Sequence, residues 1–336
     1  MIRLAWRQFR TEAAVAVGGL AVVAVVLGIT GPHLVHVADT SPRQLGDTYQ
    51  TLQSALGDLL VVVPALLGIF FGAPLVAREL ETGTFRLAWT QSVSRARWLL
   101  VKYALVGAAA SVLAGGLALM AAWWANPIDV WDQNRFSPAN FGMLGIVPFG
   151  YALFAFALGA TAGLVLRRTL PAMAATLAGY VGARFAATFW VRPHLQAPLH
   201  RSLPLTQAGG VGFTVSPSGR LVMTVAPPSM KNAWPLSASM VDKAGHGPTS
   251  QVLRRACPTL VHPPGPAVAG KGHSLRASVG GMQECITHLA ARYHVVVTYQ
   301  PASRYWPFQV YETSIFAAAA LALAALSVWW VRRRLV

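Results

Sequence analysis

The sequence predicts an all-α polytopic membrane protein, with six transmembrane helices and a small α+β extracellular domain between helices five and six. Of its 336 residues, 54% are hydrophobic and only 11% charged, whereas an ordinary soluble domain carries about 25% charged residues. Six runs reach the length of about 20 apolar residues that the hydrocarbon core requires. They are Ala13–Gly31, Leu59–Ala77, Ala104–Ala125, Phe141–Leu166, Thr169–Val191 and Ser314–Val331. A polar, proline-rich segment, 192–312, separates the last two. Only helices or closed barrels satisfy their backbone groups in lipid, and the alternation of barrel strands is absent, so the runs read as helices.

The N-terminal stretch "IRLAWRQFRTE" (2–12) sets Arg3, Arg7 and Arg10 at i, i+4 and i+7, with Ile2, Trp6 and Phe9 on the other face. It reads as a cytoplasmic amphipathic helix over 1–12 lying in the interface, or as a basic flank of the first span. The first run holds no charge and no A-x-A site follows, so it reads as a retained helix rather than a signal peptide. Helices one to five then occupy 13–191. Pro64, Pro74 and Pro148 fall inside predicted spans and should kink them. Gly68/Gly72 and Gly159/Gly163 are G-x-x-x-G pairs, the spacing that lets helix backbones approach closely. The extracellular module covers 192–312. In it "GFTVSPSGRLVMTV" (212–225) reads as strand–turn–strand, "GGMQECITHLAARY" (280–293) as a helix, and "HVVVTYQ" (294–300) as a strand. Prolines over 226–270 point to irregular chain there. Helix six and a basic cytoplasmic tail close the chain over 313–336.

The formal charge of +16 is distributed by position. Arg3, Arg7 and Arg10 precede the first span, and Arg78, Arg86, Arg95, Arg97 and Lys102 fill the loop after the second. Arg167 and Arg168 form the turn after the fourth, and Arg332, Arg333 and Arg334 end the chain. The positive-inside rule makes these four segments, and both termini, cytoplasmic. No basic cluster remains for a nucleic acid. Cys257 and Cys285 both fall in the outer segment, where a disulfide is permitted; closing about 28 residues would contribute roughly 3.5 kcal/mol.

Several chemistries are excluded. "GPAVAGKG" (265–272) approximates a phosphate-binding loop, but Gly272 stands where magnesium needs a hydroxyl, no strand precedes it, and it lies outside the cell. Proton or sodium coupling needs ionisable groups among the spans. Glu12 and Asp58 sit at span ends, and Arg184 alone lies within. Arg184 reads as a snorkelling or outer-vestibule side chain, with a role in the pathway, in gating or anion binding, as the alternative. No metal-ligand cluster or nucleophile signature appears, so the chain reads as non-catalytic, with no cofactor of its own.

The loop "RELETGTFRLAWTQSVSRARWLLVK" (78–102) is anomalous. It carries Arg78, Glu79, Glu81, Arg86, Arg95, Arg97 and Lys102. Gly83-Thr84 should turn the chain, "TFRLAWTQS" should form a short surface helix, and Ser94 should cap the next element. Topology needs a few arginines but neither the glutamates nor exposed Leu87 and Trp89; those suit docking to a protein.

With the flanking "GIFFGAPLVA", this stretch (68–102) strongly resembles the corresponding segment of ABC-2 type transporter permeases, especially those of high-GC Gram-positive bacteria. There an acidic–Gly-Thr element and a Ser-Arg pair flank a coupling helix that seats in an ATP-binding partner. The matching residues are Glu79, Glu81, Gly83, Thr84, Ser94, Arg95 and Lys102. The six-span layout, "YQPASRYWPFQVYE" (299–312) and the terminal "WWVRRRL" also look like this subgroup, whereas the large outer module departs from the better-known drug and polysaccharide exporters. The resemblance implies the permease subunit of an ATP-driven exporter in the cell membrane. Its partners would be a separate ABC ATP-binding subunit holding ATP and Mg, a second permease copy or close relative, and membrane lipid. Its cargo would be hydrophobic or amphipathic, such as a drug, lipid or peptide. The alternative is an ABC-type mechanotransmission or signalling protein that works its outer domain without transport.

Overall fold

A computed structural model describes residues 2–40, 42–83, 94–132, 135–216, 220–258 and 279–333. The chain divides into two compact units, a helical one of Met1–Leu195 with Arg304–Val336 and a smaller one of Gln196–Ser303. The smaller unit is thus shorter at each end than the predicted 192–312 module. Arg192 and Glu312 belong to the helical unit and are buried there.

In the helical unit, α1 (Ile2–Thr40) runs unbroken from the basic N-terminal stretch through the first apolar run and past Pro32. Next come α2 (Pro42–Leu67), a π-helical turn at Gly68–Gly72, and α3 (Pro74–Thr82). Pro74 has no N–H to donate, and the ladder widens just before it: Ala73 N donates to Gly68 O at 2.9 Å. The long helix α4 (Arg95–Asp132) follows.

The fourth predicted span does not run from Phe141. It is split into α5 (Pro138–Met143) and α6 (Val147–Leu166). Gly145 takes φ +86° at the break, a conformation that favours glycine. Pro148 therefore lies in the first turn of α6, where a missing N–H costs nothing, and does not kink a span. Arg167, with φ 54°, closes α6 and opens a tight turn into α7 (Thr169–Ala186). A π turn (Ala187–Val191) and a 3-10 turn (Arg192–His194) continue α7.

Gln196–Ser303 holds an antiparallel three-stranded sheet, ordered β1 (Leu199–Pro204), β5 (His294–Gln300) and β4 (Trp234–Val241), and a hairpin of β2 (Gly210–Val215) and β3 (Leu221–Ala226). Two helices, α8 (Ser250–Ala256) and α9 (Val279–Ala290), accompany them. Cys257 and Cys285 form a disulfide. Both are buried with Phe213, Leu253, Leu289, Val295 and Val297 in one apolar core. β4 and α8 lie inside the proline-rich stretch expected to be irregular; Pro235 is accommodated at a break in the β4 register, the position a sheet tolerates. "GPAVAGKG" lies outside the described residues.

The chain returns to the helical unit as α10 (Tyr305–Arg333). Among the described residues five segments are long and apolar enough to cross a membrane: Val17–Val37, Ser54–Thr82, Ala96–Asn126, Val147–Leu166 and Ala302–Arg333. The predicted fifth span, α7 with its π turn, is helical but is not among them; Pro171, Gly179, Tyr180, Gly182 and Arg184 dilute its apolar character. Val147–Leu166 is 61% buried against 17% for Val17–Val37, so α6 is the central axis, while α1 packs at the side on α2 and α4. Val22, Ile29, Val112 and Leu321 face outward, an arrangement that water would penalise and lipid would not.

Close packing along that axis depends on the two G-x-x-x-G pairs, which meet each other. A Cβ on Gly68 would stand 2.5 Å from Ala155 O, and one on Gly72 2.5 Å from Phe156 O. A Cβ on Gly159 would run into Gly68 O, and one on Gly163 into Ala73 O. Tyr103, Thr161 and Ser327 add a hydrogen-bonded link among α4, α6 and α10, each hydroxyl contact at 2.9 Å.

Candidate functional site

Two charged regions stand out in the helical unit. The first is the elbow between α3 and α4. α3 ends on Gly83 in the left-handed conformation, φ 72°, the usual glycine stop. One turn earlier Glu79 accepts from Lys102 Nζ at 2.5 Å. The Lys102 side chain is 6% exposed and that of Glu79 16%, so the pair is largely out of solvent. The ammonium also lies 4.7 Å from the centre of the Trp98 ring, a cation–π contact. Glu81 Oε2 accepts from Thr169 Oγ1 at 2.6 Å and Thr169 N at 3.3 Å. Arg168, the N-cap residue of α7, supplies no side-chain cap; Glu81 fills that role from α3, placing a negative charge at the positive end of the helix.

Ser94 Oγ accepts from Arg97 N at 3.4 Å, in the position of a cap for α4. Arg95 begins α4, and Thr84, Arg86 and the "TFRLAWTQ" stretch lie outside the described residues. Of the residues assigned to the elbow, Glu79 and Lys102 therefore meet each other, while Glu81 reaches Thr169. The end of α10 joins the same region, because Val331 packs in one cluster with Leu75, Val76, Trp98 and Leu99.

The second region joins α5, α6, α7 and α10. Glu312 is 1% exposed and Arg192 is fully buried. Arg192 Nε donates to Glu312 Oε2 at 2.9 Å, and its Nη2 donates to Oε1 at 3.0 Å, a two-pronged contact. The Tyr151 hydroxyl also donates to Oε1. Arg184 Nη1 stands 4.0 Å from Oε1 without a hydrogen bond. Its guanidinium lies 3.9 Å over the Tyr151 ring, and that of Arg192 lies 4.0 Å over Phe141. Nearby, Gln309 Oε1 accepts from Ile146 N and Val147 N at 3.1 and 3.0 Å, and its Nε2 donates to Phe141 O and Leu144 O, each at 3.0 Å. One buried amide thus satisfies backbone groups freed by the α5–α6 break, an obligation that is strict away from water.

Sequence reasoning found Arg184 and missed Arg192 and Glu312, because the last span appeared to start at Ser314. A signal existed: Tyr305, Phe308, Gln309, Glu312, Phe316 and Ala320 are all buried at three- and four-residue spacing. The helical stripe therefore begins upstream of the purely apolar run. Among the described residues no group of three or more His, Cys, Asp or Glu side chains is placed to hold a metal ion.

The family described as ABC-2 membrane transporter related matches residues 17–192, just over half of the chain and the whole of the stretch that carries the elbow. The chain belongs to that family. It is a multi-pass membrane protein and an ABC-2 type permease. Such permeases are generally non-catalytic membrane subunits that typically work with an ATP-binding subunit. No curated protein and no solved structure matches the chain.

Proposed function

We propose that the chain is the membrane-spanning subunit of an ATP-driven exporter, moving a hydrophobic or amphipathic substrate such as a drug, lipid or peptide out of the cell. A separate ATP-binding subunit, holding ATP and Mg, supplies the energy, and a second copy or a related permease completes a twelve-span pathway. The observation that carries this reading is the elbow. Glu79–Lys102 ties α3 to α4 and Glu81 ties α3 to α7. A push on residues 84–93 would thereby reach three helices, and the glycine seam would pass it from the second span to α6. In this scheme Arg86 and Arg95 provide the docking contact, and Glu79, Glu81 and Lys102 transmit movement.

The topology proposed has six crossings, 192–312 outside and both termini cytoplasmic. Arg78, Arg97, Arg167, Arg168, Arg332 and Arg333 gather at the elbow end of the helical unit, which favours that end as the inside. α7 leaves this end at Thr169 and carries Arg184 to Glu312 and Tyr151, so it runs alongside α6 and counts as the fifth crossing.

The test uses the permease reconstituted with its ATP-binding partner. Arg95→Glu is expected to abolish substrate-stimulated ATP hydrolysis, and Glu79→Gln to leave hydrolysis but lose most transport; unchanged activity in both would refute the elbow's role. A second reading, force transmission to the outer domain without cargo, is favoured by the smaller unit's own core and disulfide. Hydrolysis without cargo accumulation in sealed vesicles would select it.

A further inference from the structure

The buried centre on α7 and α10 is unbalanced. Among the described residues it contains two guanidinium groups and a single carboxylate, and both ion pairs of the arginines go to Glu312. Arg192 neutralises Glu312 through its two-pronged contact. Arg184 is then a positive charge whose nearest counter-charge is already taken. Each arginine also leaves its Nη1 buried with no hydrogen-bond partner. Buried charges are costly unless paired, so the unmatched guanidinium of Arg184, with an unfilled corner, calls for an acceptor that carries negative charge. Water could take the N–H groups but would not offset the charge.

The site is built to present that corner. The Arg184 guanidinium carbon lies 3.9 Å over the Tyr151 ring, which leaves its outward N–H groups for a ligand, while Arg192 is occupied by Glu312. Gly142 makes room: a Cβ there would come 2.7 Å from Arg184 Nη2. Arg184 retains 11% side-chain exposure while Arg192 has none, so a ligand would enter past Arg184.

We propose that Arg184, stacked on Tyr151 beside the Arg192–Glu312 pair, forms a binding site for one oxyanion, a carboxylate or phosphate group, within the helical unit. Planar guanidinium forks match such groups geometrically. The acceptor comes from a lipid headgroup or from a free anion of the same chemistry. The inference does not rest on export, since it concerns binding by the purified chain alone.

The experiment is thermal unfolding of the full-length chain in nanodiscs. One arm titrates inorganic phosphate against chloride at equal ionic strength in phosphatidylcholine; the other replaces phosphatidylcholine with phosphatidylglycerol. A saturable rise of about 5 °C is expected in one arm, with phosphate identifying a free anion and phosphatidylglycerol a headgroup. Arg184→Gln should abolish the rise while keeping the basal midpoint at or above wild type, because an unpaired buried charge has gone. Arg184→Lys should retain the rise at a several-fold higher half-saturation, and it reads the fork should Arg184→Gln fail to fold. No rise in either arm, or an equal rise in both variants, would overturn the proposal.

Discussion

Near the elbow, one carboxylate meets one ammonium: Glu79 and Lys102 close a neutral pair at the boundary of the helical unit, and Glu79 keeps 16% exposure. At the α7–α10 centre, one carboxylate meets two guanidinium groups, and Glu312 and Arg192 are almost wholly enclosed. The first contact joins consecutive helices across 23 residues, and the second reaches across 120. Their charge balance separates them. A neutral pair near water fastens helices at modest energetic cost. A deeper cluster with surplus positive charge gains nothing from the surplus unless something negative arrives. Buried ionic groups in a membrane protein thus divide into those that close on themselves and those left open for a ligand.

The largest expected effect comes from Glu312→Gln, which leaves two buried arginines without a counter-charge. It should cost about 3–5 kcal/mol, seen as a lower unfolding midpoint of the purified chain; a loss below about 1 kcal/mol would place that centre in water and erase the contrast. Lys102→Met should cost less, about 1–3 kcal/mol, because water reaches the partner left behind. The double change Glu79→Leu with Lys102→Met should return to within about 1 kcal/mol of wild type. Failure of that recovery in the same assay would mean the elbow pair does more than close a neutral contact. Glu81→Ala removes a shared cap at the exposed end of α7 and should cost about 1 kcal/mol, with faster amide exchange over the first turn of α7.

The smallest effect lies in the other unit, where Asp242 provides a carboxylate held outside the helices. The backbone N–H of His246, foremost, and of Ala244 donate to it, each at 2.9 Å, and hold its carboxyl below the ordinary carboxylate range. A lowered folded-state pKa contributes stability that is full above the unfolded value, about 3.9, and is lost as pH falls through the folded value. Asp242→Asn should flatten the fall of the unfolding midpoint below about pH 4. An unchanged acid limb would show that those donors favour the neutral side chain equally.

The long apolar helices were legible because hydropathy is a sum over neighbours in sequence. So were the Arg167–Arg168 turn, the β2–β3 hairpin, the residues of α9 and the β-branched run of β5. β1 and β4 were not: "LHRSLP" and "WPLSASMV" lack clear alternation, and they become strands by pairing with β5 on either side. The α5–α6 break was hidden as well. The Gln309 amide that satisfies it lies more than 160 residues downstream, and 141–147 itself offers only two glycines, Gly142 and Gly145.

Composition and the positions of the arginines alone determined that this chain is a helical membrane protein with a separate polar domain, since lipid imposes its demands one segment at a time. The 68–102 stretch alone pointed to the family. Which charges face one another was decided only by packing. Four glycines bring α6 within backbone contact of the second span, and α10 reaches far enough upstream to place Glu312 between two arginines of α7 and its continuation. Coulomb interactions and hydrogen bonds act across a few ångströms of space, and separation along the chain does not reveal that distance until the helices have packed.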